Sequence, residues 1–373
     1  MSKFNMTSVF GSLITIFDNL KLEGQAKPSY TSENAATAQY NGFDRENTDT
    51  MGQLEYCHSA ASGVVYKIDK SKVYTKLTAQ TQFSDGSALA DRTLAFVPDA
   101  NTSYWALGEL IPVTSTKKIQ FANDSLEHYV AFEDDNELHV QTSTTDAITK
   151  HVLVAVITNN AIANEPVWFA DERHGIKESG ESHLIIHATR GFANVYGLDV
   201  QGLVDNGTTF TKITAGKSYD EDIPMAFAET TAIPSLYREG VGGAWRLTPT
   251  SNNKLAHFVG SKAVYNRYNA GTDTWDLYEI DSNYIATSIL ATNNVLAPIV
   301  RLVSQSADLS RTVARAKAPA NWYRIKKTGL PSSEAHAICS IVVHVENTGQ
   351  IELGTDNEIY SDCRAGFPIQ MYL

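Results

Sequence analysis

The chain of 373 residues carries 30 Lys and Arg against 42 Asp and Glu, a formal net charge of −12, with 43% hydrophobic and 19% charged residues. That balance is globular rather than disordered, and the length allows two or three domains with sizeable cores. Binding a phosphate backbone needs clustered cations, and these Lys and Arg form no long run, so no nucleic-acid partner is expected.

Read in order, Val9–Leu22 predicts an amphipathic helix with Val9, Leu13, Ile16 and Leu20 on one face. Gly11, Asp18 and Lys21 interrupt it and it is too short to span a bilayer, so neither a secretion signal nor membrane insertion is expected. Residues 1–60 then turn polar and read as a docking arm or a loose loop. From Gly63, Val65, Lys67 and Asp69 alternate with Tyr66 and Ile68, and Val73, Thr75 and Leu77 follow a Lys-Ser-Lys turn. Period two with a polar turn predicts a hairpin. His128–Ser143 adds a strand, an Asp-Asp-Asn turn and a second strand, and the apolar His151–Ala161 continues the meander. Residues 61–165 therefore read as one antiparallel β domain, sandwich or barrel.

Glycine-bearing turns at intervals make 166–300 a second β-rich domain, with two strands expected in Ser182–Val200 around Gly191. Asp308–Ala318 places Leu309, Val313 and Ala316 on one helical stripe, with Arg311 and Arg315 opposite. A second helix starts after Pro319 and runs through Asn321, Trp322 and Ile325 to Lys326-Lys327, with Thr328-Gly329 as its stop. Ala337–Val345 reads as a buried strand, so 301–373 is an α+β module on a mainly β, antiparallel chain. Cys57, Cys339 and Cys363 are too few and too scattered for a disulfide scaffold, and reduced thiols are expected.

Several of these segments resemble structural proteins of tailed bacteriophages. Lys117–Gly175 is similar to a small β domain of tail, fibre and neck proteins, with an apolar strand at Leu153–Thr158 and an Asp-x-Arg-like element at Asp171–His174. Thr209–Ile223, Pro234–Arg246, Tyr284–Gln305, Gly329–Val345 and Ile359–Gly366 resemble, in that order, elements of phage structural proteins. The chain departs from the pattern at Val303-Ser304-Gln305, where a longer apolar-Gly-Gln turn is usual. About two thirds of the chain is covered, and the first 60 residues are not. The resemblance implies a virion tail or tail-appendage component, assembled in the host cytoplasm as a homo-oligomer, with a trimer favoured. Its partners would be identical subunits, other tail proteins and a bacterial surface glycan or protein. A baseplate, neck or collar ring is the architectural alternative, and a tail-associated glycan hydrolase a third.

No catalytic, cofactor or metal residue is assigned. GxSxG, HExxH, Walker and GxGxxG patterns are absent from the sequence. Asp171, Glu172, Arg173 and His174 hold the groups for acid–base work, but adjacency on a strand scatters them onto different faces. Tyr219, Asp220, Glu221 and Asp222 could offer oxygen ligands to a hard cation, yet lack EF-hand spacing and read as a solvated turn or a partner for an Arg of a neighbouring subunit. His183 and His187, four apart on a strand, would stand about 13 Å apart, too far for one ion. Among Tyr104, Trp105, Trp168, Trp245, Trp275 and Trp322, most lie in strand-like runs and read as core. Trp275, in a turn-rich stretch, is the one expected to be exposed, and with Arg311 and Arg315 completes the candidate surface contacts.

Overall fold

The computed structural model describes residues 92–98, 102–106, 109–160, 165–174, 179–189, 191–203, 208–318, 321–330, 334–345 and 360–364, together with strand segments at 29–30, 44–47, 53–56, 72–76 and 351–352. The helix expected at Val9–Leu22 and most of the arm lie outside these residues.

The chain is mainly β, with several sheets in which most pairings are antiparallel. Glu127–Phe132 pairs with Leu138–Gln141 through the Asp-Asp-Asn turn, where Asn136 takes a positive φ of 61° and donates its N–H to the Glu133 carbonyl. Asn is one of the few side chains that tolerates this left-handed backbone, which is why the turn closes there. On its other edge Glu127–Phe132 pairs with Val152–Asn160, which pairs in turn with Glu165–Asp171. Every residue of Val152–Thr158 is buried. A strand apolar on both faces must be covered on both. One face packs with Leu94, Phe96, Tyr104 and Phe132, and the other with Trp168, Leu290, Val300 and Trp322.

Between Leu138–Gln141 and Val152–Asn160 the chain forms a short helix, Thr144–Thr149. Ser143 caps it by accepting the Asp146 N–H at 3.2 Å, the usual way a serine satisfies a helix's first donors.

Smaller sheets include a three-stranded one of Phe192–Gly197, Gly216–Asp220 and Ile223–Phe227, and the largest sheet has ten strands. At its centre Asn283–Thr292 pairs antiparallel with Ala335–Val345 along its whole length, and Ile299–Leu302 flanks it. The one parallel pairing in this sheet joins Ser235–Val241 to Ile299–Leu302. Glu165–Asp171 touches the sheet through a bridge from Ala170 to Asn294, and both sheets share the core around Trp168. Pairing and packing thus run across residues 165 and 300, where the sequence placed domain divisions.

Helix Arg311–Lys317 is capped by Ser310, and helix Asn321–Arg324 follows. The first sits the other way round from its apolar stripe. Ala314 and Ala318 are buried against Ala286 and Val342, while Leu309 is 90% exposed and Val313 is also exposed. Small residues let the helix lie close on the sheet, so they, not the larger stripe, face inward. Cys339 is buried and Cys363 half-buried, and they pack against different core clusters.

Candidate metal centre

Three chain segments meet beside the shared core. The first is the end of strand Glu165–Asp171, which carries Glu172 and His174 just beyond it. Backbone bonds from the Glu172 N–H to the Val154 carbonyl and from the His174 N–H to the Glu172 carbonyl turn both side chains inward. Asp171 faces away and pairs with Arg173 at 2.5 Å.

The second segment is a helix, Gly180–Thr189, where the sequence led us to expect a strand. Ser179 accepts the Ser182 N–H at 3.1 Å and starts the helix, and Gly191, at a φ of 46°, donates to the Ile186 carbonyl and ends it. On a helix, His183 and His187 are one turn apart and share a face. The separation argued from strand geometry therefore does not apply. The helix also runs tightly against Thr144–Thr149. A Cβ on Gly180 would stand 2.5 Å from the Thr149 Cα and 2.8 Å from its carbonyl oxygen. Gly-to-Ala in a helix ordinarily gains up to about 1 kcal/mol. Here we expect Gly180→Ala to lose about 1–3 kcal/mol from the backbone clash. A melting temperature equal to or above that of the parent chain would show that the helices are not locked in this way.

The third segment is the two-residue turn Glu221-Asp222, which joins strand Gly216–Asp220 to Ile223–Phe227. Glu221 holds a φ of 53°, a position where glycine is the undemanding choice. This backbone points its carboxylate at the histidine helix.

The distances define an enclosed centre. The Glu221 Oε2 atom lies 2.9 Å from His183 Nε2 and 3.8 Å from His174 Nε2, while Glu221 Oε1 lies 2.7 Å from His187 Nδ1. His174 Nε2 is 3.3 Å from Glu172 Oε2, and its Nδ1 bonds Asp222. Asn293 fixes the floor. Its Oδ1 accepts from the Trp168 indole N–H at 3.0 Å, and an indole can only donate, so the amide cannot be flipped. Its NH2 group therefore faces Glu172 at 3.1 Å, Asp220 at 2.6 Å and Glu334 at 2.9 Å. Two hydrogens serve three carboxylates.

Burial and charge act on one another here. Burial alone would lower the His174 pKa, but its bonds to Asp222 and Glu172 and the charge of Glu221 hold it well above the ordinary histidine range. His187 is raised in the same way, against its burial, by Glu221. Burial would raise Glu221, and the bonds from His183 and His187 instead hold it below the usual carboxylate range. Among the described residues, Asp220 accepts from Asn293 rather than from a histidine. Burial, with the charges of Glu172 and Glu221, pushes it up to about 8. Burial followed by Glu172 and Asp220 also raises Glu334.

The chain matches no family model, no curated protein and no solved structure.

The centre reverses several expectations. Asp220 and Glu221 are buried rather than part of a solvated turn, because the hairpin tip folds under the histidine helix. Asp222 is half-buried against His174, and Tyr219 is half-buried, its hydroxyl accepting from the Lys217 ammonium at 3.0 Å. Trp275 is 2% exposed. It pairs in register with Gly240, its ring lies 4.8 Å from the Arg238 guanidinium, and a Cβ on Gly243 would collide with its indole. The turn-rich stretch around Trp275 suggested exposure, but the ring lies in a slot left open by Gly243 of a different turn. Trp105, Trp168, Trp245 and Trp322 are buried, as their strand and helix settings predicted. Arg311 and Arg315 are half-buried on their helix and lie outside this centre. Glu334, Asn293 and the paired role of His183 and His187 were not singled out as a site in the sequence. The i, i+4 histidine spacing between Ser179 and Gly191 was the available signal.

Proposed function

We propose that the chain is a structural subunit of a tailed-phage virion, a tail fibre or tail appendage that assembles as a homo-oligomer. The observation that carries this reading is where the phage-like segments fall. Asp171–His174, Thr209–Ile223, Tyr284–Gln305 and Gly329–Val345 supply Glu172, His174, Asp220, Glu221, Asp222, Asn293 and Glu334 to one centre. Pro234–Arg246, Tyr284–Gln305, Gly329–Val345 and Ile359–Gly366 supply strands of the ten-stranded sheet. The parts that carry the resemblance are thus the parts that fold together.

The enclosure supports a mechanical role. His174, His183, Glu172 and Asp220 are buried, which suits a joint between lobes better than a cleft for a polymer. A glycan hydrolase would need two carboxylates flanking an open sugar site. The outward stripe of Leu309 and Val313, beside Arg311 and Arg315, suits a contact with a second subunit. Among the described residues, no helix is long and apolar enough to cross a membrane.

Light scattering on the full chain at micromolar concentration tests this. We expect a trimer, and we expect Leu309→Asp combined with Val313→Asp to dissociate it. A monomeric parent chain would overturn the oligomeric fibre reading, and a ring of six or more would move the assignment to a collar or baseplate component.

A further inference from the structure

The enclosed centre contains a pairing of atoms that the hydrogen bonds of a neutral His174 do not explain. Asp222 bonds His174 Nδ1, and a carboxylate there accepts the Nδ1 proton. In the neutral ring this leaves a lone pair on Nε2, aimed at the acceptor oxygens Glu172 Oε2 and Glu221 Oε2. His187 occupies the far oxygen of Glu221, so the near oxygen turns toward both His174 and His183. A carboxylate that fixes one ring nitrogen while the other points at further ligands is the usual outer support of a metal-bound histidine.

We propose that His174 Nε2, His183 Nε2 and Glu221 Oε2 bind one divalent transition-metal ion of the zinc class. Asp222 and His187 act as positioning residues.

Three observations carry this assignment. The first is spacing. One ligand atom from each of His174, His183 and Glu221 lies within 4.8 Å of the others. Ligands about 2.0–2.1 Å from a tetrahedral zinc stand about 3.3 Å from one another. Here the separations are 3.8 Å from His174 to Glu221 and 2.9 Å from His183 to Glu221.

The second is charge. Glu172, Asp220, Glu221, Asp222 and Glu334 make five carboxylates against the three histidines, and among the described residues the ion pairs of Glu172, Glu221 and Glu334 are with those histidines. Ligation requires His174 and His183 to be neutral, so imidazolium charge cannot offset these carboxyl groups, and a divalent cation supplies positive charge to a buried acidic space. The third is chemistry. Calcium and magnesium take oxygen ligands, whereas a mixed imidazole and carboxylate set suits zinc and its neighbours. The site is buried within the fold. It would tie the end of strand Glu165–Asp171, helix Gly180–Thr189 and the Gly216–Phe227 hairpin into one joint. This assignment does not depend on the virion reading.

The test uses the full chain without a histidine tag, made in zinc-supplemented medium and purified without chelator. Elemental analysis should find about one zinc per chain. A second preparation, unfolded in chelator and refolded with cobalt(II), should show the visible absorption of tetrahedral cobalt. His174→Asn with His183→Gln should reduce both signals about tenfold or more while far-ultraviolet circular dichroism stays native. Glu221→Gln should weaken binding, and Arg311→Gln, away from the site, should leave both signals unchanged. Lack of metal in both parent preparations would overturn the proposal, whatever the variants do. So would metal retained by a folded double variant, because the ion would then sit elsewhere. If the double variant fails to fold, the Glu221→Gln and parent chains decide: equal cobalt affinity and spectra in the two would also overturn it.

Discussion

Replacing Asn293 with Asp should be among the most damaging single changes in this protein, although the two side chains have nearly the same shape. The amide nitrogen of Asn293 is the shared donor to Glu172, Asp220 and Glu334, and its oxygen anchors the Trp168 indole. Aspartate can keep the indole bond. It loses both N–H donors and adds a further carboxylate to a buried group that already outnumbers its histidines. Leaving buried charge without its partner costs about 3–5 kcal/mol, a large part of the 5–15 kcal/mol typical of a whole domain. Asn293→Ala removes the same donors and also abandons Trp168, but adds no charge. Urea unfolding should therefore rank the chains with the parent most stable, then Asn293→Ala, then Asn293→Asp. If Asn293→Asp stays within about 1 kcal/mol of the parent, the three carboxylates do not depend on this amide.

Much of the β architecture is legible because its signals are local. The Asp134-Asp135-Asn136 turn, the apolar run from Val152 and the two C-terminal helices each need only a few neighbouring residues to specify them. The histidine helix is harder. Ile185 and Ile186 are β-branched and favour strands, and a true strand, Phe192–Gly197, follows at once. The deciding interactions are the Ser179 cap and the close approach of Gly180 to Thr149, and the second is a tertiary contact across about thirty residues of chain. The centre was out of reach for the same reason. His174 meets Asp222 across 48 positions, and Trp168 meets Asn293 across 125. No spacing rule relates such residues. Once the helix is known, His183 and His187 fall on one face, and the acidic turn becomes the natural place to look for their partner.

Stability should fall in acid through His257, well away from the metal centre. This imidazole is buried, stacks on Tyr237 with ring centroids 5.4 Å apart, and belongs to the strand His257–Val259. Burial, reinforced by the nearby Arg301 guanidinium, lowers its pKa to about 4. Arg301 is itself buried and holds Ser235 Oγ at 2.6 Å, Asn252 Oδ1 at 3.0 Å and the Lys254 carbonyl, so it cannot swing away to relieve the repulsion. An unfolded histidine titrates near 6.5. Above that value both states are neutral and His257 adds no pH dependence. As pH falls from about 6.5 toward 4, the unfolded chain takes up a proton that the folded chain refuses, so unfolding is favoured. Below the folded pKa both states are protonated and the loss levels off at about 3 kcal/mol, from 1.36 kcal/mol for each pKa unit. Other groups titrate in this range too, among them Glu221, whose lowered pKa has the same sign. The informative quantity is thus the difference between the parent and His257→Phe, which keeps a ring against Tyr237. Unfolding free energies measured from pH 7.5 to 4 should differ by a constant above pH 6.5, and the gap should then move by about 3 kcal/mol in favour of the variant as the pH approaches 4. Curves that stay parallel over the whole interval would mean that the folded chain protonates His257 as readily as the unfolded one, and that Arg301 does not set its charge.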